Sequence, residues 1–255
     1  MINNKILKLS TILISFFLSG CVVSGGNDIE NSNNGEKKAG YEYFLFKGWG
    51  MGASGTTTPI SKNYSLTTRN VAGVTNTDIE SYNNLCGIVL IKQDNSEKEI
   101  PKLNFAKELD KVTMYGYDYY TAKIKESKGE ALNWVYNKNY TNDDQNCKVF
   151  LSTAGADTGM FGGPVYNDKN ELIGVIIQTT EKLYLNNKDA EKRKIKDAVG
   201  NTVEVKDNYK YFDFNNNPDK PVAVNYSVFV PIQEIIGWLK EKVELGGDHL
   251  KTEHF

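Results

Sequence analysis

Histidine is almost missing from this 255-residue chain: there are two, His249 and His254, both in the closing stretch "GGDHLKTEHF". A catalytic base must be held within about 3 Å of the proton it takes, and a chain end is a poor place to hold one. Before residue 249 no imidazole is available at all. This excludes hydrolysis in which His activates Ser or Cys, and two tail histidines fall short of the fixed ligand set of a zinc site. Positive charge is not in excess either, with 30 Lys and Arg against 32 Asp and Glu. The chain therefore carries no electrostatic footprint for nucleic acid. The acidic stretch "NDDQN", Asn142 to Asn146, lacks the Gly and closing Glu of a calcium loop. No cofactor is implied. Cysteine is scarce, with three residues at Cys21, Cys86 and Cys147.

A membrane-spanning run is lacking too, and the N-terminus shows what stands in its place. Lys5 and Lys8 precede an apolar run from Ile12 to Leu18, followed by Ser19, Gly20 and Cys21. That is a positive region, a short hydrophobic core and a small-residue processing site. That run, seven residues at about 1.5 Å each, covers only about 10 Å of a roughly 30 Å hydrocarbon layer. "LSGC" resembles the bacterial lipoprotein signal, in which residues 1–20 are removed and Cys21 is acylated with diacylglycerol and palmitate. Val22 after the Cys implies outer-membrane sorting in that resemblance, with the membrane as a partner through Cys21. The mature chain then holds 28 basic and 32 acidic residues, a net charge of −4. Residues 21–40, rich in Gly, Ser, Asn and charge, read as a flexible tether that cannot bury enough apolar surface to order itself.

Cys86 and Cys147 remain. In an oxidising compartment a lone pair reads as a bridge closing a loop of roughly 60 residues; two buried, inert thiols are the other reading.

From Tyr41 to Leu245 short apolar or alternating runs recur between Gly, Asn and Asp: "YEYFLF", "YSLTT", "CGIVLIK", "KVTMYGYDYYTAKI", "CKVFLST", "GPVYN", "ELIGVIIQTT" and "VNYSVFV". β-Branched and aromatic residues bounded by turn formers predict strands. One helix is predicted over "PIQEIIGWLKEKV", with Ile232, Ile235, Ile236 and Leu239 on one face and Pro231 in its first turn. Many strands with one terminal helix predict an all-β sandwich or pair of barrels. Residues 182–222 form a long polar insertion, which in a compact domain is functional or disordered. Its basic run, Lys188 to Lys196, is interleaved with acids and reads as a solvated face. Residues 246–255 form a tail.

Three stretches, taken in order, resemble landmarks of the trypsin-like (chymotrypsin-fold) serine proteases. "GMGASGTTTPISKNYSLTTRNVAG" is similar to the lead into the family's catalytic His motif, "NNLCGIVLIK" to the strand opening with its Asp, and "GMFGGPVYNDKNELIGVI" to its nucleophile motif "GDSGGP". The resemblance implies two β-barrels and a C-terminal helix. Carried over residue by residue, it puts Asn70 where the family has His, Gly87 where it has Asp and Phe161 where it has Ser, with Met160 for the preceding Asp. An amide is no base, Gly has no side chain, and a phenyl ring neither attacks nor ionises. No residue is then assigned a catalytic role, and Phe161 is expected to plug the cleft. Thr158 beside Asp157 reads as a turn or cap device.

Three functions stay open on these grounds. One is a non-catalytic envelope lipoprotein that binds an unidentified protein, with aromatic residues of the insertion and the Tyr115–Tyr120 cluster as candidate surfaces. A second is an envelope peptidase working by an unrecognised arrangement, and a third is a purely structural envelope lipoprotein that assists secretion or assembly of a neighbouring product, which the sequence does not separate from the first.

Overall fold

A computed structural model describes residues 28–46, 51–137, 147–179 and 226–243, together with four short strands of the 182–222 insertion. The first half builds an antiparallel sheet from β2 (Gly40–Phe46), β3 (Met51–Pro59), β4 (Tyr64–Thr68), β5 (Ile79–Asn83) and β6 (Ile88–Lys92), in the order β2-β3-β4-β6-β5. Between β4 and β5 lies α1 (Arg69–Thr75), which starts because the Thr68 hydroxyl accepts the Val71 N–H at 3.1 Å. Asn76 ends it in the left-handed region at φ 52°. This second helix was not expected from sequence, because its seven residues include Gly73, two β-branched valines and a threonine.

The second half forms a closed six-stranded barrel. It runs β8 (Ile124–Asn137), β7 (Lys111–Tyr117), β10 (Pro164–Asn167), β11 (Leu172–Thr179), β16 (Ser227–Pro231) and β9 (Cys147–Ser152), with β9 returning to pair with β8. Closure removes the exposed edges that an open sheet would leave. α2 (Ile232–Lys242) follows β16 directly and buries Ile232, Ile235 and Leu239.

Alternation along the barrel strands separates two cores. On β9 Phe150 joins one cluster and Val149 and Leu151 the other; on β16 Phe229 and its neighbours Val228 and Val230 divide in the same way. The cluster of Phe150, Phe229, Val112, Met114, Val165, Ile173 and Ile176 fills the barrel, with the two phenyl rings stacked at 5.5 Å. The other cluster joins Leu66, Ile88 and Leu90 of the first sheet to Leu151, Val175 and Val230 of the barrel and to the buried face of α2. The two halves thus share one hydrophobic interface. A disulfide between Cys86 and Cys147 crosses it, from the turn before β6 to the first residue of β9, with Cα atoms 5.0 Å apart.

The expected tether is corrected from residue 28 onward. β1 (Glu30–Asn31) adds to β8, pairing Glu30 with Glu126 and Asn31 with Lys125. A one-turn 3-10 helix, Gly35–Lys37, follows, with Gly35 packed where any Cβ would meet Ile124 and Tyr115. Lys38 and Ala39 are buried. The Lys38 ammonium lies 4.7 Å from the Tyr166 ring centroid and 5.6 Å from that of Tyr115, and it donates to Asn170 Oδ1. A polar composition did not keep this segment loose, because main-chain pairing and one cation between two rings do the work that apolar burial would otherwise do. Residues 1–27, including Cys21, lie outside the described residues.

In the insertion, β12 (Leu183–Leu185) pairs with β15 (Val222–Val224), and β13 (Lys194–Lys196) with β14 (Thr202–Glu204), both antiparallel. The second pair is nested in sequence within the first. The Lys194–Lys196 end of the expected solvated run is therefore a strand.

Candidate binding cleft

The loop from Asp157 to Gly163 sets one wall of the site. Asp157 caps a 3-10 turn, Thr158–Met160: its Oδ1 accepts the Gly159 N–H and its carbonyl the Met160 N–H, both at 3.0 Å. Gly162, at φ +89°, then turns the chain into β10, and its N–H and the Gly163 carbonyl both pair with Ile176 at 2.8 Å. A Cβ at Gly162 would overlap the Thr56 carbonyl oxygen.

Threonines of the first sheet clamp this loop to the other half. The Thr56 hydroxyl donates to the Gly159 carbonyl at 2.7 Å and accepts the Tyr117 N–H at 2.8 Å. The Thr58 hydroxyl donates to the Gly162 carbonyl at 2.8 Å, and the Thr56 N–H to the Phe161 carbonyl at 3.1 Å. Thr67 supports the row by donating to the Thr56 carbonyl at 2.8 Å. All three threonines are buried. The loop is thus held by hydrogen bonds from its backbone to threonines and neighbouring strands, and needs no reactive side chain to keep its shape.

Beside the loop, between the two halves, lies a cleft of about 490 Å³ lined by Ala53, Ser54, Asn70, Val71, Val74, Asp118, Tyr119, Tyr120, Asp157, Thr158 and Phe161. The Tyr119 hydroxyl reaches across to donate to the Gly52 carbonyl at 3.0 Å. Asp118 sits at the mouth, its Oδ1 accepting from the N–H groups of Tyr120 and Thr121 and from the Thr121 hydroxyl. Burial presses the Asp118 carboxyl upward, but these bonds and the charge of Lys125 outweigh it and leave the group below its ordinary range. Asp157 goes the other way. Burial is the largest influence, the nearby Asp118 charge adds to it, and the bond from Gly159 only partly opposes them, so its carboxyl is held above the usual range.

The sequence-derived positions divide as follows. Asn70, exposed in the first turn of α1, and Phe161 both line the cleft. Gly87 does not; it is a turn residue at φ +66° whose carbonyl accepts the Arg69 N–H at 2.9 Å, which brings its backbone beside Asn70. Phe161 is half-buried against the barrel cluster. It forms part of the wall and leaves the cleft open, so the expected plug is corrected: the extended backbone at Phe161, with ψ 136°, turns the ring toward the barrel packing. Asp157 acts as the cap that the sequence suggested for it. Of the tyrosine cluster, Tyr115 and Tyr117 belong to β7, whereas Tyr119 and Tyr120 sit in the turn over the cleft.

Asp118 and Ser54 were missed as lining residues. The signal for the first is an Asp three residues before a Thr, the pattern of a side-chain-closed turn. The second gave none, since the strand register that places Ser54 opposite Tyr43 is set by long-range pairing. Among the described residues one group of metal-ligand type converges, Cys86, Cys147 and Glu234 within 4.8 Å, but sulfurs joined in a disulfide offer no thiolate. No helix of the described residues is long and apolar enough to cross a membrane.

No family model and no curated protein sequence matches the chain. Solved structures do. The active form of the Rv3671c protease of M. tuberculosis superposes with a TM-score of 0.53 at 14% identity, over 83% of this chain and 87% of that one. The MamO protease domain from Magnetospirillum magneticum, in its apo form, gives a TM-score of 0.50 at 11% identity, over 81% and 98%. At such identity the likeness speaks for architecture alone. The fold is the trypsin-like, two-barrel chymotrypsin type with a C-terminal helix.

Proposed function

We propose that this chain is a non-catalytic trypsin-like protein, a pseudoprotease, anchored to the bacterial outer membrane through lipidated Cys21 and acting by binding another protein. The single observation that carries the non-catalytic reading is the absence of any imidazole before residue 249. The positions that the resemblance aligns with the triad agree with it, because Asn70 and Phe161 supply neither a base nor a nucleophile, and Gly87 supplies no carboxylate. A loop held by threonine and backbone hydrogen bonds suits a scaffold kept for recognition.

Purified full-length protein, solubilised in detergent and incubated with fluorescently labelled casein and with a panel of nitrophenyl esters, is expected to turn over neither. Turnover that one substitution among the cleft residues extinguishes would overturn the reading in favour of an envelope peptidase. For the anchor, mass spectrometry of the mature N-terminal peptide is expected to show an acylated Cys21. C21S is expected to move the protein from the membrane to the soluble fraction, and unchanged membrane retention would refute that part alone.

A further inference from the structure

We propose that the cleft receives a basic, partly apolar segment of a partner protein, with a Lys or Arg side chain lodged between Asp118 and Asp157. This rests on the reading of the chain as a binding protein and adds the chemistry of what is bound.

Charge is the first ground. Two carboxylates face one cleft, and among the described residues neither makes an ion pair. Lys125 acts on both, without a salt bridge to either. The Asp118 charge raises the cost of ionising Asp157, so a cation beside the two removes a repulsion that the free protein retains. All three hydrogen bonds to Asp118 fall on Oδ1, and Oδ2 has no hydrogen-bond partner among the described residues.

The walls are the second ground. Ala53, Val71, Val74 and Phe161 are apolar, and Val74 and Tyr120 are 53% and 66% exposed. Tyr119 and Tyr120 stand edge to face at 5.2 Å and present ring surface beside the acids. Aromatic faces and carboxylates at one mouth suit the aliphatic stem and charged head of Lys or Arg, where an acidic or purely apolar segment satisfies only one of the two.

The third ground is an unmet polar group. Ser54 Oγ is the one buried side-chain oxygen without a hydrogen-bond partner among the described residues, and Ser54 lines this cleft. It lies on β3 opposite Tyr43, which is 62% exposed on β2. Tyr43 therefore sets an exposed aromatic ring on the first sheet next to the cleft-lining Ser54. Such residues, free in the monomer, have the composition of interface cores.

The test uses full-length protein in detergent and three labelled twelve-residue peptides with the same leucines, carrying Lys and Arg, Glu, or Gln at the remaining positions. Fluorescence anisotropy is expected to show saturable binding of the basic peptide, weaker binding of the Gln peptide and none of the Glu peptide, with affinity falling as salt rises. Asp118→Asn is expected to weaken the basic peptide about tenfold while leaving the Gln peptide unchanged. Asn keeps Oδ1 as an acceptor, so the turn should survive, which an unchanged thermal melt will verify. A separate hollow is lined by Lys38, Glu99 and Lys102; Lys102→Gln there is the control and should change nothing. Equal binding of all three peptides, no binding of the basic one, or no effect of Asp118→Asn overturns the inference and leaves the binding-protein reading standing. Dimerisation of the chain that Asp118→Asn abolishes makes a second copy the occupant, and overturns it too. Cleavage of the basic peptide, lost on a cleft substitution, instead sinks the binding-protein reading.

Discussion

Removing the Cys86–Cys147 disulfide should cost about 4 kcal/mol. The two residues are separated by 61 positions, and in the chain-entropy model closing a loop of that length in the unfolded state is worth about 14 cal/mol/K. Position adds a reason to expect the full effect. Both cysteines are 1% exposed and belong to the cluster shared by the first sheet, the barrel and α2, so the link holds the two halves at the surface where they meet. A domain of this size shifts its melting temperature by about 2–4 °C per kcal/mol, which predicts a drop of about 8–16 °C for the C86A/C147A double variant. Differential scanning calorimetry of the oxidised protein, the dithiothreitol-treated protein and the double variant would measure it. The last two should agree within a few degrees, the remainder reflecting two lost sulfur atoms in the core. A double variant melting within about 3 °C of the oxidised protein would refute the argument that the bridge restrains the unfolded chain.

Three smaller perturbations probe the clamp behind the cleft. T56V keeps the shape of the side chain but leaves the Tyr117 N–H and the Gly159 carbonyl without the hydroxyl, and is expected to lower stability by about 3 kcal/mol in urea titrations. G162A should cost at least about 2 kcal/mol, since φ +89° is strained for Ala and its methyl meets the Thr56 carbonyl; a neutral effect would mean that the loop relaxes freely. D157N tests the raised carboxyl. Because the folded protein holds that proton more tightly than the unfolded chain, the contribution is present below about pH 3.8 and is lost as pH rises through the folded value. The stability of D157N relative to the native protein should therefore improve from pH 4 to pH 7, and a difference that stays constant would deny the shift.

Much of the barrel pair was legible because its strands are β-branched runs between turn formers. "CGIVLIK" became β6 and "ELIGVIIQTT" became β11, both with nearly every residue buried. What composition hid was structure made by long-range pairing. β3, "MGASGTTTP", is not among the runs that composition picks out as strands, and only its resemblance to the lead into the His motif pointed to one; it is pinned between β2 and β4 and carries buried threonines. By composition, the segment from Asp28 to Ala39 likewise reads as disordered. At the site, the sequence identified the residues by order along the chain, and Asn70 and Phe161 do meet at one cleft. Which way Phe161 turns was not legible, because a ring's direction follows from backbone angles and barrel packing that no local pattern encodes. The opposed settings of Asp118 and Asp157 likewise depend on how deeply each is buried.

The strand Glu30–Asn31 begins only a few residues after Cys21, and that has a mechanical consequence if Cys21 carries acyl chains. Seven residues from Cys21 to Asp28, pulled straight, reach about 25 Å at most, well short of the roughly 40 Å breadth expected of a domain this size. The molecule would sit on the lipid like a moored hull instead of a kite: free to swivel, unable to somersault, with the same flank always nearest the bilayer. Any visitor to its mouth would have to approach from whatever sector that mooring leaves clear.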